Sequence, residues 1–433
     1  MDNARRLALT SLIRAEELCS YSNLEINTVI KRSELSKKDI SLYTALYMGV
    51  TERLMTLDYI ISLYSSIDID KLDTETKNAL RLGIYQLMFM DKIPDYSAVS
   101  ETVELCPKRS KGYVNAVLRG ILRNEKRVEY PTDKWEALSV ISSTPSYIID
   151  IFRRSYGDDI AIKLCSEREH HSGISLRVNT VRSSVDDLFD HLNKKEILFE
   201  KTPLSEDIIT VHAPVSDIED ILGEGLAFVQ DIASRCASAL LDAHAGMRVL
   251  DACACPGGKT FSVAMDMHNL GSILACDLHK NKLSLIDKGA KRLGIDIITT
   301  REQNGKEYCK ELDSSFDRVL CDVPCSGLGV IGKKPDIKYN KDDSVGRLPS
   351  IQYAILSNCA KYVSVGGEIV YSTCTLNKAE NDDVVSRFLA ENDGYETIDF
   401  TIGNITSSDG TYTFFPHITD SDGFFVAKIR RVR

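Results

Sequence analysis

The chain has 433 residues, 43% hydrophobic and 27% charged, a length and composition that predict two or three soluble, well-cored domains. A net charge of −10 argues against a protein that coats nucleic acid indiscriminately. No stretch approaches the roughly 20 apolar residues of a membrane helix, and Met1 to Arg6 lead into an amphipathic helix and not a signal sequence, so the expected location is cytoplasmic. The twelve cysteines are scattered and form no Cys-x-x-Cys pair, which points to reduced thiols and away from structural zinc.

Residues 1 to about 140 read as helical throughout. Leu7, Leu9, Leu12, Ile13 and Leu18 mark one apolar face, and Leu42, Leu46, Val50, Leu54 and Leu57 predict a second long helix. A third starts near Asp73-Thr74, with Asp73 as N-cap, and carries Leu80, Ile84, Leu87 and Met88. Pro94 and Pro107 punctuate shorter helices, and Val114–Leu122 forms another. Between Lys108 and Arg127 seven cations (Lys108, Arg109, Lys111, Arg119, Arg123, Lys126, Arg127) face a single acid, Glu125. One basic segment in an acidic chain suits a selective RNA contact, although a solvated helix face reads equally well.

The pattern loosens around Tyr130–Thr132 and Ser142–Pro145, which suggests a boundary. Residues 146–235 then mix strand-like segments (Ile174–Val178, Ile208–Val211) with a helix near Val185–Leu192, a small α+β module. From Met247 short apolar strands alternate with helices: Arg248–Leu250, Ser272–Cys276, Ile295–Thr299, Arg318–Leu320 and Glu368–Tyr371. That alternation predicts a mostly parallel, doubly wound sheet, whose ligands bind beyond the carboxyl ends of the strands.

The first of these strands ends in Asp251-Ala252-Cys253-Ala254-Cys255-Pro256-Gly257-Gly258-Lys259-Thr260, where paired glycines let backbone approach a ligand. A phosphate-binding P-loop would need glycine at position 253, which is Cys. Asp277, at the tip of the second strand, is placed to accept hydrogen bonds from a ribose. Asn304, after the third, is a weaker candidate for an adenine edge. The fourth strand ends in Cys321-Asp322-Val323-Pro324-Cys325-Ser326-Gly327 and the fifth in Tyr371-Ser372-Thr373-Cys374-Thr375. If these two strands are neighbours, both thiols open on one crevice. Cytosine is a poor nucleophile at C5, and addition of a thiolate to C6 overcomes this. Asp322, if protonated, would donate to the charge left near N3, and a second cysteine would assist release.

The segments DACACPGGKT, ACDLHKNKL, CDVPCSGLGVIGKKPDIKY and VYSTCTLNKAEND resemble the motifs of the RNA 5-methylcytosine methyltransferase family, and the likeness spans the whole chain. It implies a multidomain architecture: an all-α NusB-like RNA-binding bundle (1–140), a small α+β, RRM-like module (141–235) and an α/β Rossmann-like class I methyltransferase domain (236–433). It implies Cys374 as nucleophile and Cys325 as the aid to release. Cys253, Ala254, Cys255, Pro256, Gly257, Gly258, Lys259, Asp277 and Asp322 would line an S-adenosylmethionine pocket. The implied partner is 16S rRNA, acted on by a monomer with no membrane contact. Two positions depart from the family pattern: Asn304 where an acid is usual, and Cys255 where alanine is usual.

Other readings compete. A tRNA cytosine methyltransferase shares the same chemistry. A DNA cytosine methyltransferase would use Cys325 as nucleophile, which leaves the Ser-Thr-Cys-Thr segment idle, and an amino-group methyltransferase needs a different motif after strand four. A non-catalytic NusB-like antitermination factor accounts for residues 1–140 alone. Lys333, Lys334 and Lys338, with Arg430, Arg431 and Arg433, are candidate phosphate contacts or plain solvated cations.

Overall fold

A computed structural model describes residues 3–18, 23–166, 173–339 and 346–433. They form two units, residues 1–168 with 331–341, and residues 169–330 with 342–433.

The first unit is helical. Helix Ala4–Glu17 buries Ala4, Ala8, Leu9, Leu12 and Ala15, while Leu18 lies past the last turn and is exposed. The expected second helix is two helices, Lys37–Glu52 and Leu54–Tyr64, which meet at Arg53, where φ −112° and ψ 20° break the helix. Periodicity hides that break because the apolar face runs through it: Leu46, Val50, Leu54 and Leu57 are all buried. Asp73 caps helix Thr74–Phe89 by accepting from the Thr76 amide at 3.0 Å. Pro94 and Pro107 precede helices Asp95–Leu105 and Lys108–Arg123. Helices Asn23–Arg32, Lys134–Ile141, Ser146–Tyr156 and Asp158–Ser166 also belong to this unit. The last two are regular helices in the stretch read from sequence as mixed.

Four of the seven cations between 108 and 127 meet acids from elsewhere in the chain or just beyond: Arg109 with Asp73, Lys111 with Glu104, Lys126 with Asp95 and Arg127 with Glu129. Such surface pairs are weak and salt-screened. Lys108, Arg119 and Arg123 are exposed and have no acid partner among the described residues. Residues 331–339, which follow the Pro-Cys loop in sequence, fold into this helical unit. Lys338 is buried there and donates to the Glu52 carbonyl at 2.6 Å, and the Tyr339 hydroxyl lies 2.9 Å from that of Ser143. Lys338 is therefore a packing residue and not a phosphate contact, whereas Lys333 and Lys334 are exposed.

The second unit opens with a βαββαβ module: β1 (Ile174–Val178), helix Val185–Lys194, β2 (Phe199–Thr202), β3 (Ser205–Val211), helix Glu219–Glu224 and β4 (Ala227–Val229). The strand order β2-β3-β1-β4 is ferredoxin-like. Leu176, Val178, Ile209 and Val211 pack with Leu188 and Leu192 of the first helix. The opposite face is covered too, since Ile208 and Phe228 share a core with Ile232, Ala233 and Cys236 of helix Ile232–Leu240. RRM domains read RNA on an open sheet face; here that face is closed by packing.

The larger sheet is built from β5 (Arg248–Asp251), β6 (Ser272–Asp277), β7 (Ile298–Glu302), β8 (Phe316–Asp322), β9 (Val363–Thr373) and β10 (Tyr395–Thr397). After a hairpin of β11 (Phe400–Ile402) and β12 (Ile405–Ser407), β13 (Thr411–Phe414) and β14 (Phe424–Arg431) return to it. Its order is β10-β14-β9-β8-β5-β6-β7, with β13 also on β14. Strands β5 to β9 pair in parallel, and β14 joins β9 antiparallel, so the sheet is mixed and Rossmann-like. Central strands buried on both faces need continuous apolar runs, which Val249-Leu250 and Val319-Leu320-Cys321 supply. The third strand starts at Ile298 and not Ile295, because Gly294 (φ 74°) ends helix Lys280–Leu293 and the Ile295 amide turns back to the Ala290 carbonyl.

Helices Ile232–Leu240, Gly258–Asp266 and Lys280–Leu293 cover one face of the sheet, and Leu348–Tyr362 and Asp382–Glu391 the other. The chain leaves β5 toward β6 on one side and returns on the other at β8. Such a switch of direction opens a crevice at the carboxyl ends of β5 and β8. Arg430 and Arg431 are held against the sheet, while Arg433 makes an exposed surface pair. Arg430 donates to Glu368 at 2.8 Å, Arg431 to the Val363 carbonyl at 2.7 Å, and Arg433 pairs with Asp393 at 3.2 Å.

A buried charge network ties the small module to helix Gly258–Asp266 of the larger sheet. Arg177 of β1, 1% exposed, contacts Asp207 at 2.5 Å and Asp266 at 3.2 Å, and Arg235 bridges the same two carboxylates at 3.0 and 2.8 Å. Removing one member of such a network strands buried charge. Asp207→Ala should lower stability by roughly 3–5 kcal/mol, read as a reduced urea midpoint by circular dichroism. A loss below about 1 kcal/mol would show that the network behaves as a surface pair.

Candidate active site

The carboxyl end of β5 sets the first wall. Asp251 closes the strand, and residues 252–257 turn into helix Gly258–Asp266 through a cis Cys255–Pro256 peptide. Gly257 has φ 112°, and a Cβ there would stand 2.5 Å from the Phe261 ring, so only glycine fits. A Cβ at Gly258 meets nothing within 4 Å, which leaves open space beside the backbone. Gln230 fixes the turn, accepting from Ser262 at 2.6 Å and donating to the Gly258 carbonyl at 3.3 Å.

Asp251 is 2% exposed. Burial pushes its carboxyl up to about 7 against the opposing hydrogen bond from Thr260 at 2.6 Å. Its other oxygen, Oδ1, is buried with no hydrogen-bond partner. An orphaned acceptor at this point is what a pocket for a hydrogen-bond donor looks like without its ligand. Asp277 ends β6; its carboxylate accepts from the His279 amide at 2.9 Å and the Cys255 amide at 3.4 Å, which joins the first two strand-end loops. Burial, with Asp277 adding, drives the Cys255 thiol up to about 12, so Cys255 is a neutral lining residue. Asn304, beyond β7, is engaged in its own turn, donating to Glu307 at 2.7 Å and accepting from the Lys306 amide at 3.1 Å. The structure does not bring its amide into contact with the other candidate residues.

Across the crevice, β8 and β9 are hydrogen-bonded neighbours in parallel register, with Cys321 opposite Tyr371 and Asp322 opposite Ser372. The condition set by the sequence is met. The Cys325 and Cys374 sulfurs lie 3.2 Å apart. Asp322 accepts from Lys259 Nζ at 2.8 Å and from the Ser372 hydroxyl at 2.7 Å. Both of its carboxylate oxygens are thus engaged as acceptors. Burial works against the Lys259 ammonium, but Asp322 beside it prevails and the pKa is raised; a charge on Cys374 would act the same way. The hydrogen bond shared with Cys374, followed by burial, keeps Cys325 as a thiol.

Some of the site was not legible as such. Glu380, fully buried, accepts from the Ser326 amide and hydroxyl, Gln352 and Asn377. Asn381 holds the Thr375 carbonyl at 2.9 Å and accepts from Thr373 at 2.6 Å. Gly329 passes so close to Gly423 that an added Cβ would be 1.9 Å from its carbonyl, and the Gly329 amide donates to the Cys374 carbonyl at 3.0 Å. Gly329, Glu380 and Asn381 stand inside the segments CDVPCSGLGVIGKKPDIKY and VYSTCTLNKAEND, but their types and spacing do not reveal these partners.

Comparison with known proteins bears on this arrangement. The family model "16S rRNA methyltransferase RsmB/F" matches residues 238–430, the NusB family model residues 2–123, and a ferredoxin-like domain model of RsmF/B-like methyltransferases residues 144–217. A Bacillus subtilis (strain 168) protein, "Probable ribosomal RNA small subunit methyltransferase B", is 34% identical over 99% of both chains. The chain belongs to the RsmB/F methyltransferase family. The fold as a whole has a solved counterpart: the crystal structure of PH0851 superposes with TM-score 0.83 at 24% identity, covering 100% of this chain and 99% of that one. NSun6 from Pyrococcus horikoshii, solved with SFG, has TM-score 0.60 at 20% identity and covers 68% of this chain and all of that one. Among the described residues no helix is long and apolar enough to cross a membrane, and no cluster of His, Cys, Asp and Glu is arranged to hold a metal.

The raised Asp251 carboxyl carries a pH signature. With its folded pKa near 7 and an unfolded value near 3.8, its contribution to stability is full below about pH 4 and lost as pH rises to about 7. Asp251→Asn should therefore flatten the fall in melting temperature between pH 5 and 8 in the ligand-free protein. Parallel pH profiles for the two proteins would mean that Asp251 ionises normally.

Proposed function

We propose that the chain methylates C5 of a cytosine in 16S rRNA, with S-adenosylmethionine as donor and Cys374 as covalent nucleophile. The observation that carries this reading is the meeting of two strand-end thiols, 3.2 Å apart, beside the Lys259–Asp322 pair. The residues present suit the cofactor. The turn from Cys253 through Ala254, Cys255, Pro256 and Gly257 to Gly258 would hold it where backbone lies open, Asp277 would accept from its ribose, and the unpartnered Asp251 oxygen awaits a donor. When bound, S-adenosylmethionine supplies a methyl group on a sulfonium, the electrophile that the reaction needs. Asn304 is left out of this set, since its amide is engaged in its own loop.

The chain's own residues do the rest. The Cys374 thiolate adds to C6, and the C5=C6 electrons shift so that C5 becomes the nucleophile that receives the methyl group. Lys259 and Asp322 together carry the proton that meets charge arising near N3. A base then removes the C5 proton; the C–H electrons re-form C5=C6, and the C6–S bond breaks to return Cys374 as thiolate. Cys325, already in contact with Cys374, serves this release. The target base must leave its stack for C6 to be reached. The helical unit, with the exposed Lys108, Arg119 and Arg123 on helix Lys108–Arg123, would hold adjacent RNA, and the enzyme would act in the cytoplasm as a monomer.

The two thiols should fail in opposite ways. Cys374→Ala should abolish methyl transfer, whereas Cys325→Ala should let transfer begin and leave protein covalently attached to RNA on a denaturing gel. Trapping by Cys374→Ala instead would reverse the assignment. Bisulfite mapping of cellular RNA with and without the protein should show loss of one cytosine in 16S rRNA; loss of a tRNA site would move the substrate to tRNA.

A further inference from the structure

Glu380 lies in the short turn Lys378–Glu380, a few residues after Cys374, and is fully buried. A carboxylate in that position is costly unless donors surround it. Four do: the Ser326 amide at 2.9 Å, the Ser326 hydroxyl at 2.5 Å, and the side-chain amides of Gln352 at 2.9 Å and Asn377 at 3.0 Å. The Gln352 amide also donates to the Pro324 carbonyl at 3.0 Å. Residues on both sides of Cys325 are thus tied, directly or through Gln352, to one carboxylate that the Cys374 loop supplies. The seam is completed by the Ser326 and Thr375 hydroxyls, 2.7 Å apart, each one residue after a cysteine.

The two cysteines do not depend on Glu380 equally. Cys374 directly follows β9, and its carbonyl is held by the Gly329 amide. Cys325 stands on a loop three residues past β8, and its neighbours lean on Glu380. Loosening the carboxylate would displace Cys325 more than Cys374.

We propose that Glu380 is a positioning residue for the release step, seating the Cys325 thiol against Cys374 without touching RNA or cofactor. This rests on the two-cysteine reading above. The Glu380 charge also adds to the hydrogen bond and burial that keep Cys325 protonated.

The test uses full-length protein, S-adenosylmethionine and protein-free 16S rRNA, with turnover, single-turnover methyl incorporation and covalent complex measured together. Glu380→Gln puts a donating amide where donors already converge, and Ser326→Ala removes one donor with little change of shape. Both should slow turnover, Glu380→Gln by about tenfold and Ser326→Ala by less, while single-turnover incorporation stays within about threefold and covalent complex accumulates. A purely structural role would instead lower incorporation and complex together, along with the melting temperature. If Glu380→Gln fails to fold, Ser326→Ala decides. The inference is overturned if the folded variants turn over normally or lose incorporation and complex in step. Cys325→Ala in the same assay separates the two claims: if it traps and the others do not, only the role of Glu380 is wrong; if it does not trap, the two-cysteine reading itself fails.

Discussion

The parallel pairing of β8 with β9 is the constraint on which the site depends. Backbone hydrogen bonds fix Asp322 opposite Ser372 at the carboxyl end of both strands, and each chain then continues into a loop bearing one cysteine. Two thiols 49 residues apart are brought to 3.2 Å by that register. A slip of one residue would turn every side chain of one strand to the other face and separate the pair. The same edge of the sheet, one strand over, carries the glycine turn whose Lys259 reaches across to Asp322. The crevice is thus a consequence of strand order, with chemistry added at its rim.

Much of this was legible because the signals are local. The five parallel strands are short apolar runs bounded by turn residues, and the strand-end motifs stand in the order that the topology needs. Gly257 could be read as a backbone requirement before its φ of 112° was seen. The N-cap at Asp73 was equally plain, since a side-chain acceptor before an apolar helix has one common use.

What escaped reading depends on partners distant in sequence. Lys338 looks like a free cation beside a catalytic loop, yet its ammonium is spent on a carbonyl 286 residues earlier. Arg430 and Arg431 read as a basic tail, but one answers the buried Glu368 and the other donates to the Val363 carbonyl at the start of β9. The break at Arg53 leaves no trace because the burial pattern continues through it. Glu380 was one acid in a polar run; its meaning comes from Gln352, on a helix in the intervening crossover, and from Ser326, which follows the partner cysteine. The active site is accordingly a set of motifs held in register by polar groups whose partners the motifs themselves do not reveal.

The central claim is that Cys374, and not Cys325, bonds to the base. RNA carrying 5-fluorocytosine at the target position tests it directly, because fluorine at C5 cannot be lost as a cation and the adduct cannot collapse. After reaction with S-adenosylmethionine and digestion, mass spectrometry should find the nucleotide on the peptide containing Cys374. Attachment to the Cys325 peptide, or methylation of ordinary RNA with no adduct on the fluorinated one, would contradict the account.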